Sequence, residues 1–278
     1  MTYLFGLIGY PIKHSLSPWI HTQFMEKTNI TGSYEIFEID LNTDFKQAIA
    51  ELRERNINGF NITVPYKEKI ISELDSLDDQ AKRIGAVNTV LNYKGQLIGY
   101  NTDGLGYVKS LEMAYPKIKT TDIKILLLGA GGAARGIYNG LKGSGYLNID
   151  IANRTIEKAE EIKKTFTKGE TKVMSLQAAE QVLDQYDLIV QTTSVGMKPN
   201  VAEEIVNLNK LKPNVIVSDI VYQPIMTQFL KSAQEKGAQI HTGHTMLLYQ
   251  AQLAFNIWTE TQVDVGNMDK KLEKILEG

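Results

Sequence analysis

Residues 123–135 read Ile-Lys-Ile-Leu-Leu-Leu-Gly-Ala-Gly-Gly-Ala-Ala-Arg, and this stretch decides the fold. Ile123–Leu128 has the length and apolar density of a strand covered on both faces. It runs straight into Gly129-x-Gly131-x-x-Ala134 and then an alanine-rich helical pattern. Gly129 permits a tight turn, Gly131 lets backbone amides approach a ligand, and Ala134 is small enough for helix and strand to pack closely. The helix start adds free N–H groups and the positive end of its dipole, which together suit a pyrophosphate. Gly129, Ala130, Gly131, Gly132 and Ala133 are therefore candidate contacts of a dinucleotide cofactor.

About 20 residues further on, an acidic side chain would hold the ribose 2′-hydroxyl of NAD. The strand pattern Ile149–Ala152 ends instead in Asn153-Arg154-Thr155, with Lys158 one turn later, and Asp150 lies inside the strand. A guanidinium, a hydroxyl and an ammonium suit a 2′-phosphate, so the expected cofactor is NADP. Thr155 also has the residue type of a plain helix N-cap.

A chain of 278 residues suggests about two domains. Its 43% hydrophobic and 22% charged residues are those of an ordinary globular protein. A net charge of -2 provides no basic field to attract nucleic acid or an anionic membrane. With no cysteine, disulfides, thiolate metal sites and cysteine nucleophiles are excluded. The four histidines, His14, His21, His241 and His244, lack a metal-ligand spacing, and no metal is expected. The first residues carry no signal-peptide pattern and no run approaches the length of a membrane span, so a cytoplasmic protein is expected.

Short β-rich runs alternate with helical patterns along the whole chain, which implies an α/β fold built on βαβ units. Expected strands are Phe5–Gly9, Tyr34–Ile39, Gly59–Val64, Ala86–Tyr93, Ile123–Leu128, Ile149–Ala152, Leu188–Gln191 and Val215–Asp219. The expected architecture is an N-terminal α/β substrate domain over residues 1–104 and a Rossmann domain with a doubly wound parallel sheet over 105–242, with a cleft between them. The boundary falls in Asp103–Thr121, and helices over 243–278 are assigned back to the first domain.

Several polar groups fall at the ends of the first domain's strands, where open α/β sheets bind ligands. Ser15 and Ser17 lie in Gly9–Pro18, with Ser17 as an apparent N-cap before Pro18. Thr63 and Lys67 end Asn61-Ile-Thr-Val-Pro-Tyr-Lys67, and Asn88 and Asp103 follow in Gly85–Thr89 and Gly99–Gly104. These groups suit a small polyhydroxylated ligand. Each alone is ordinary: a lysine after Pro-Tyr is usually solvated, and an aspartate before glycine usually belongs to a turn.

The runs SLSP, NITVPYK, GAVNT, GYNTDG and GAGGAAR, in this order, resemble the shikimate dehydrogenase family. QTTSVGM at 191–197, DIVYQP at 219–224 and GHTMLLYQ at 243–250 extend the resemblance almost to the C-terminus. The resemblance implies NADPH-dependent reduction of 3-dehydroshikimate to shikimate, with Lys67 and Asp103 as the catalytic pair. It further implies that Ser15, Ser17, Thr63, Lys67, Asn88, Asp103, Gln250 and Tyr222 hold the substrate. Asn153, Arg154, Thr155, Ile220 and Gly243 would line the cofactor, with Asp79 at its edge and Thr192, Val195 and Met246 near the nicotinamide. Two departures fall on the cofactor side: His244-Thr245 where smaller or apolar residues are expected, and Gln191 where asparagine is commoner.

Two other functions fit parts of the pattern. One is a quinate/shikimate dehydrogenase using NAD, which Arg154 and the missing strand-end carboxylate oppose. The other is a non-catalytic regulator that binds NADP or a shikimate-like ligand, which has no need of both Lys67 and Asp103. No interface stripe stands out, so monomer and homodimer both fit the sequence.

Overall fold

The structure, a computed structural model, describes residues 2–120 and 122–278. The chain divides into two compact units, one ending at Thr102 and completed by Gln250–Val265, the other formed by Asp103–Tyr249 and Gly266–Gly278. The break therefore lies at Thr102/Asp103. Thr121, at the far end of the expected boundary, is outside the described residues. Of the C-terminal stretch assigned to the first domain, residues 250–265 join the first unit, whereas 243–249 and 266–278 belong to the second.

The first unit holds β1 (Tyr3–Gly9), α1 (Ser17–Thr28), β2 (Gly32–Glu38), α2 (Phe45–Glu54), β3 (Gly59–Ile62), β4 (Ser76–Leu77), α3 (Asp79–Ile84), β5 (Thr89–Tyr93) and β6 (Gln96–Tyr100). Its sheet has the order β2-β1-β3-β5-β6-β4. β1 runs parallel to β2 and β3, but β5 is antiparallel to both β3 and β6. Sequence patterning missed β6 and extended β5 back to Ala86. The β5–β6 hairpin closes on Lys94 and Gly95, both at positive φ, the geometry that matches the twist of two-residue hairpins. Asn92 Oδ1 accepts the Gly95 amide at 2.9 Å and fixes that turn.

One part of the unit's core, around Ile8, Ile49 and Ile62, is mostly aliphatic, and another is aromatic. Phe5 stacks on Trp258 at 4.8 Å, and the Trp258 indole N–H donates to the Val90 carbonyl at 2.9 Å. Gly59 is required here, because a Cβ would stand 2.4 Å from the Trp258 ring. Burial of the large apolar face around Phe24, Phe255 and Trp258 docks residues 250–259 onto this sheet.

The second unit holds α4 (Asp103–Ala114), β7 (Ile125–Leu128), α5 (Gly132–Gly143), β8 (Ile149–Ala152), α6 (Ile156–Lys164), β9 (Val173–Met174), α7 (Leu176–Glu180), β10 (Leu188–Gln191), β11 (Ile216–Asp219), α8 (Gln228–Glu235) and β12 (Gln239–His241). The first turns of α9 (His244–Thr259) and the whole of α10 (Met268–Glu277) complete it. All its strands are parallel, in the order β12-β11-β10-β7-β8-β9, which is the doubly wound Rossmann arrangement. Alternate residues of β7 serve opposite layers. Ile125 and Leu127 pack with Ile137 and Leu141, while Leu126 and Leu128 pack with Phe229 and Leu230. A fully buried strand thus reads as an unbroken apolar run. Gly104 lets α4 reach α5, since a Cβ there would lie 2.0 Å from the Gly136 carbonyl oxygen.

Candidate functional site

In the second unit the strand order reverses between β7 and β10, and ligands of open parallel sheets bind at such a switch point, beyond the strands' carboxyl ends. Gly129 leaves β7 at φ +113°, where a Cβ would stand 2.6 Å from the Thr193 methyl. Packing and backbone both demand glycine there. Gly131, the N-cap of α5, is extended at φ -91°, and a Cβ on Gly131 or Gly132 would meet no atom of the chain within 4 Å. No neighbour within the protein requires glycine at these two positions. They form an open cradle at the helix N-terminus, which fits a pyrophosphate. Ala134 is fully buried, as its packing role predicts.

At the end of β8, Asn153 is half-buried, and Arg154, Thr155 and Lys158 are exposed. Asn153 donates to the Thr155 carbonyl at 2.8 Å, and Thr155 takes the N-cap position without a side-chain cap bond. Asp150 is engaged elsewhere: Tyr186 donates to one of its oxygens at 2.9 Å and the Lys172 amide to the other at 2.8 Å. Asn153, Arg154 and Thr155, which directly follow β8, are cationic or neutral, and the nearest acidic side chain after them is Glu157 in the first turn of α6.

A cavity of about 310 Å³ opens beside the turn, lined by Ala133, Thr192, Thr193, Ser194, Met197, Ile220, Val221, Tyr222 and Gln223. Four of the residues singled out in the sequence, Ala133, Thr192, Ile220 and Tyr222, meet here. Thr193, Ser194, Met197, Val221 and Gln223 are not among the sequence candidates, although they lie inside the quoted QTTSVGM and DIVYQP runs. The Thr192 hydroxyl donates to the Leu128 carbonyl at 2.8 Å, tying the end of β10 to the end of β7. Burial raises the Tyr222 phenol above its ordinary pKa. Val195 lies in the same loop, its carbonyl accepting from Gln191 at 3.0 Å. Gly243 passes close to Ile220, because a Cβ on it would be 2.3 Å from that carbonyl oxygen, so packing explains this glycine. Met246 packs at the margin of the core that contains α5.

In the first unit, the loop after β3 is held from several sides. The Tyr66 hydroxyl donates to the Ile39 carbonyl at 2.7 Å, its ring stacks on Phe45 at 4.5 Å, and Thr63 N donates to the Ile8 carbonyl at 2.9 Å. The Lys67 carbonyl accepts the Val87 amide at 2.8 Å, so the lysine leaves a fixed backbone with its side chain half-buried.

Asn88 is the hub of the buried polar set. Its Nδ2 donates to Thr102 Oγ1 at 2.9 Å and to Gln250 Oε1 at 3.4 Å, while its Oδ1 accepts the Thr102 amide at 2.8 Å. Gln250 therefore sits with the other polar groups of this unit, a placement that its helical periodicity alone could not give.

Ser17 is not the N-cap of α1. Leu16 holds that position and Ser17 is the first helical residue, 7% exposed. Ser15 Oγ accepts the Ser17 amide and donates to Ser17 Oγ, both at 3.2 Å. A serine that accepts the amide two residues on closes a short side-chain turn, so Ser15 has a structural role just before the helix, although neither serine is its N-cap. Asp103 is the first residue of α4, half-buried, and Asp79 is exposed in the first turn of α3.

Among the described residues no helix is long and apolar enough to cross a membrane. Three family models match successive parts of the chain: the shikimate dehydrogenase substrate binding domain over residues 7–90, shikimate/quinate 5-dehydrogenase over 112–227, and the shikimate 5′-dehydrogenase C-terminal domain over 243–273. A shikimate dehydrogenase (NADP(+)) of Oceanobacillus iheyensis is 50% identical over the full length of both chains. A shikimate 5-dehydrogenase of Thermus thermophilus, solved with NADP(H) and shikimate, is 33% identical with a TM-score of 0.86, covering 98% of this chain and 99% of its own. A quinate dehydrogenase of Corynebacterium glutamicum, solved with NAD, is 27% identical with a TM-score of 0.90, covering 98% of this chain and 99% of its own. Family models over most of the chain, and a half-identical relative over all of it, agree with the cradle and the polar set: the chain belongs to the shikimate dehydrogenase family.

Proposed function

We propose that this protein catalyses the NADPH-dependent, reversible reduction of 3-dehydroshikimate to shikimate, a cytoplasmic step towards chorismate and the aromatic amino acids. The observation that carries the cofactor assignment is the open cradle at Gly131 and Gly132, followed at the end of β8 by Arg154, Thr155 and Lys158 with Asp150 engaged elsewhere. Arg154 and Lys158 pair with the 2′-phosphate, and Thr155 donates to it. Asn153, Ile220, Gly243, Thr192, Val195 and Met246 line the remainder of the cofactor, and Asp79 stands at its edge.

Ser15, Ser17, Thr63, Asn88, Gln250 and Tyr222 hold the substrate's carboxylate and hydroxyls. When bound, NADPH supplies the hydride for the ketone carbon. The ketone oxygen then needs one proton. Lys67 donates it or stabilises the developing alkoxide, and Asp103 accepts a neighbouring substrate hydroxyl and holds the ring in register.

The test follows nicotinamide absorbance with purified protein, 3-dehydroshikimate and NADPH, beside quinate with NAD. Turnover in the first pair, falling about 100-fold or more in Lys67→Ala, is expected from loss of a general acid. Wild-type turnover in Lys67→Ala removes the role given to that lysine. A preference for NADH and quinate favours the quinate dehydrogenase reading, and tight binding without turnover favours a regulator.

A further inference from the structure

Gln191 ends β10 and Asp219 ends β11, paired in register on adjacent strands. Both are fully buried, as is Thr227, the N-cap of α8. Gln191 Nε2 donates to Asp219 Oδ1 at 3.1 Å and to the Val195 carbonyl at 3.0 Å, while Gln191 Oε1 accepts the Thr193 amide. Asp219 Oδ1 also accepts the Val221 amide at 2.9 Å, and Oδ2 accepts the Thr227 hydroxyl at 2.7 Å. Neither side chain lines the 310 Å³ cavity.

Each nevertheless holds one of its walls. Gln191 grips the loop carrying Thr192, Thr193 and Ser194, and Asp219 grips the loop carrying Val221 and Tyr222. A carboxylate removed from water is costly unless several donors meet it, and here three do. Burial still pushes its pKa up to about 6. An apolar pair would fill the same space without that cost but would fix neither loop, because packing does not specify the direction of a backbone amide.

We propose that Gln191 and Asp219 are positioning residues that lock together the two loops forming the nicotinamide pocket, so that the ring is held at one angle for hydride transfer. The inference rests on the proposed reading of that cavity as the nicotinamide site. The phosphates of the cofactor are held elsewhere, on the cradle and beyond β8. Loosening the loops therefore misplaces the ring without releasing the cofactor.

The test measures kcat with 3-dehydroshikimate, and NADPH affinity together with nicotinamide emission by fluorescence titration, in the wild type and in Gln191→Leu, Asp219→Asn, Thr227→Val and Thr227→Ser. The expected result for Gln191→Leu is a kcat lower by about tenfold or more, since a displacement of about 1 Å costs that much or more. Its NADPH Kd stays within about threefold, with altered emission of the bound ring. Thr227→Ser, which keeps the hydroxyl, retains kcat where Thr227→Val loses it. Should Asp219→Asn fail to fold, Gln191→Leu and the threonine pair decide the matter. Unchanged kcat and emission in Gln191→Leu overturn the proposal, as does a fall in kcat matched by loss of folded protein. A wild type inactive with NADPH overturns the underlying functional reading instead, and the emission of bound NADPH still reports whether the pair fixes the ring.

Discussion

The imidazole of His21 lies face to face on the ring of Tyr34, with centroids 4.4 Å apart and planes 4° apart. Phe24, Phe255 and Trp258 close around the pair, and the Tyr34 hydroxyl donates to Asn61 Oδ1 at 2.8 Å. Complete burial pushes the His21 pKa down to about 3, so the ring is neutral in the folded protein. Its role is to fill an aromatic core.

This gives stability a defined acid limb. A folded pKa below the unfolded value means that the unfolded chain binds the extra proton, so stability is lost as pH falls below about 6.5. The loss continues towards pH 3. Replacing His21 with leucine removes this contribution. From pH 7 to pH 5 the wild type should lose about 2 kcal/mol more than His21→Leu in urea unfolding. Parallel losses in the two proteins would place the acid sensitivity elsewhere.

Asn88 couples stability to binding. Asn88→Ala leaves the buried Thr102 amide without its side-chain acceptor and removes one hydrogen bond to Gln250. A cost of about 2–3 kcal/mol is expected in chemical denaturation. The KM for 3-dehydroshikimate should rise in the fraction that remains folded.

Gly131→Val separates fold from cofactor. The backbone there is extended and a Cβ would meet no neighbouring element, so stability should fall only by the cost of a poorer N-cap residue, about 1 kcal/mol. NADPH binding should weaken by at least tenfold, because the side chain would stand where the pyrophosphate must approach. Unchanged affinity in a titration would remove the cradle's assignment.

Arg154→Ala tests the cofactor choice. Loss of a charge-assisted hydrogen bond costs about 1.5–3 kcal/mol, which corresponds to a rise of about tenfold or more in the KM for NADPH. The KM for NADH should change little, since that cofactor has no 2′-phosphate. Equal effects on the two cofactors would remove Arg154 from the 2′-phosphate site.

The Rossmann unit was legible because its decisive features are local. Strand β7, the glycine turn and α5 follow one another without a break, and helix and strand differ in period. Ser15 and Ser17 show the limit of local reading. Both are residue types that cap helices, yet neither does so, which only the backbone path into α1 shows: Leu16 takes the cap position and Ser15 accepts the Ser17 amide. The β5–β6 hairpin was missed because Lys94-Gly95 is a weak turn signal and β5 merges in sequence with the residues before it.

From sequence alone came the α/β class, the cofactor turn, the cationic end of β8 and the residues of the polar set, each encoded within a few neighbouring positions. Tertiary structure decided what depends on pairs far apart in the chain. It brought Gln250 to Asn88 across 162 residues, engaged Asp150 with Tyr186, and joined Gln191 to Asp219 beneath the cavity. No periodicity records such pairs, because Gln191 and Asp219 meet through the register of β10 and β11, and the other two pairs meet only once a helix or loop has packed against the rest of its unit.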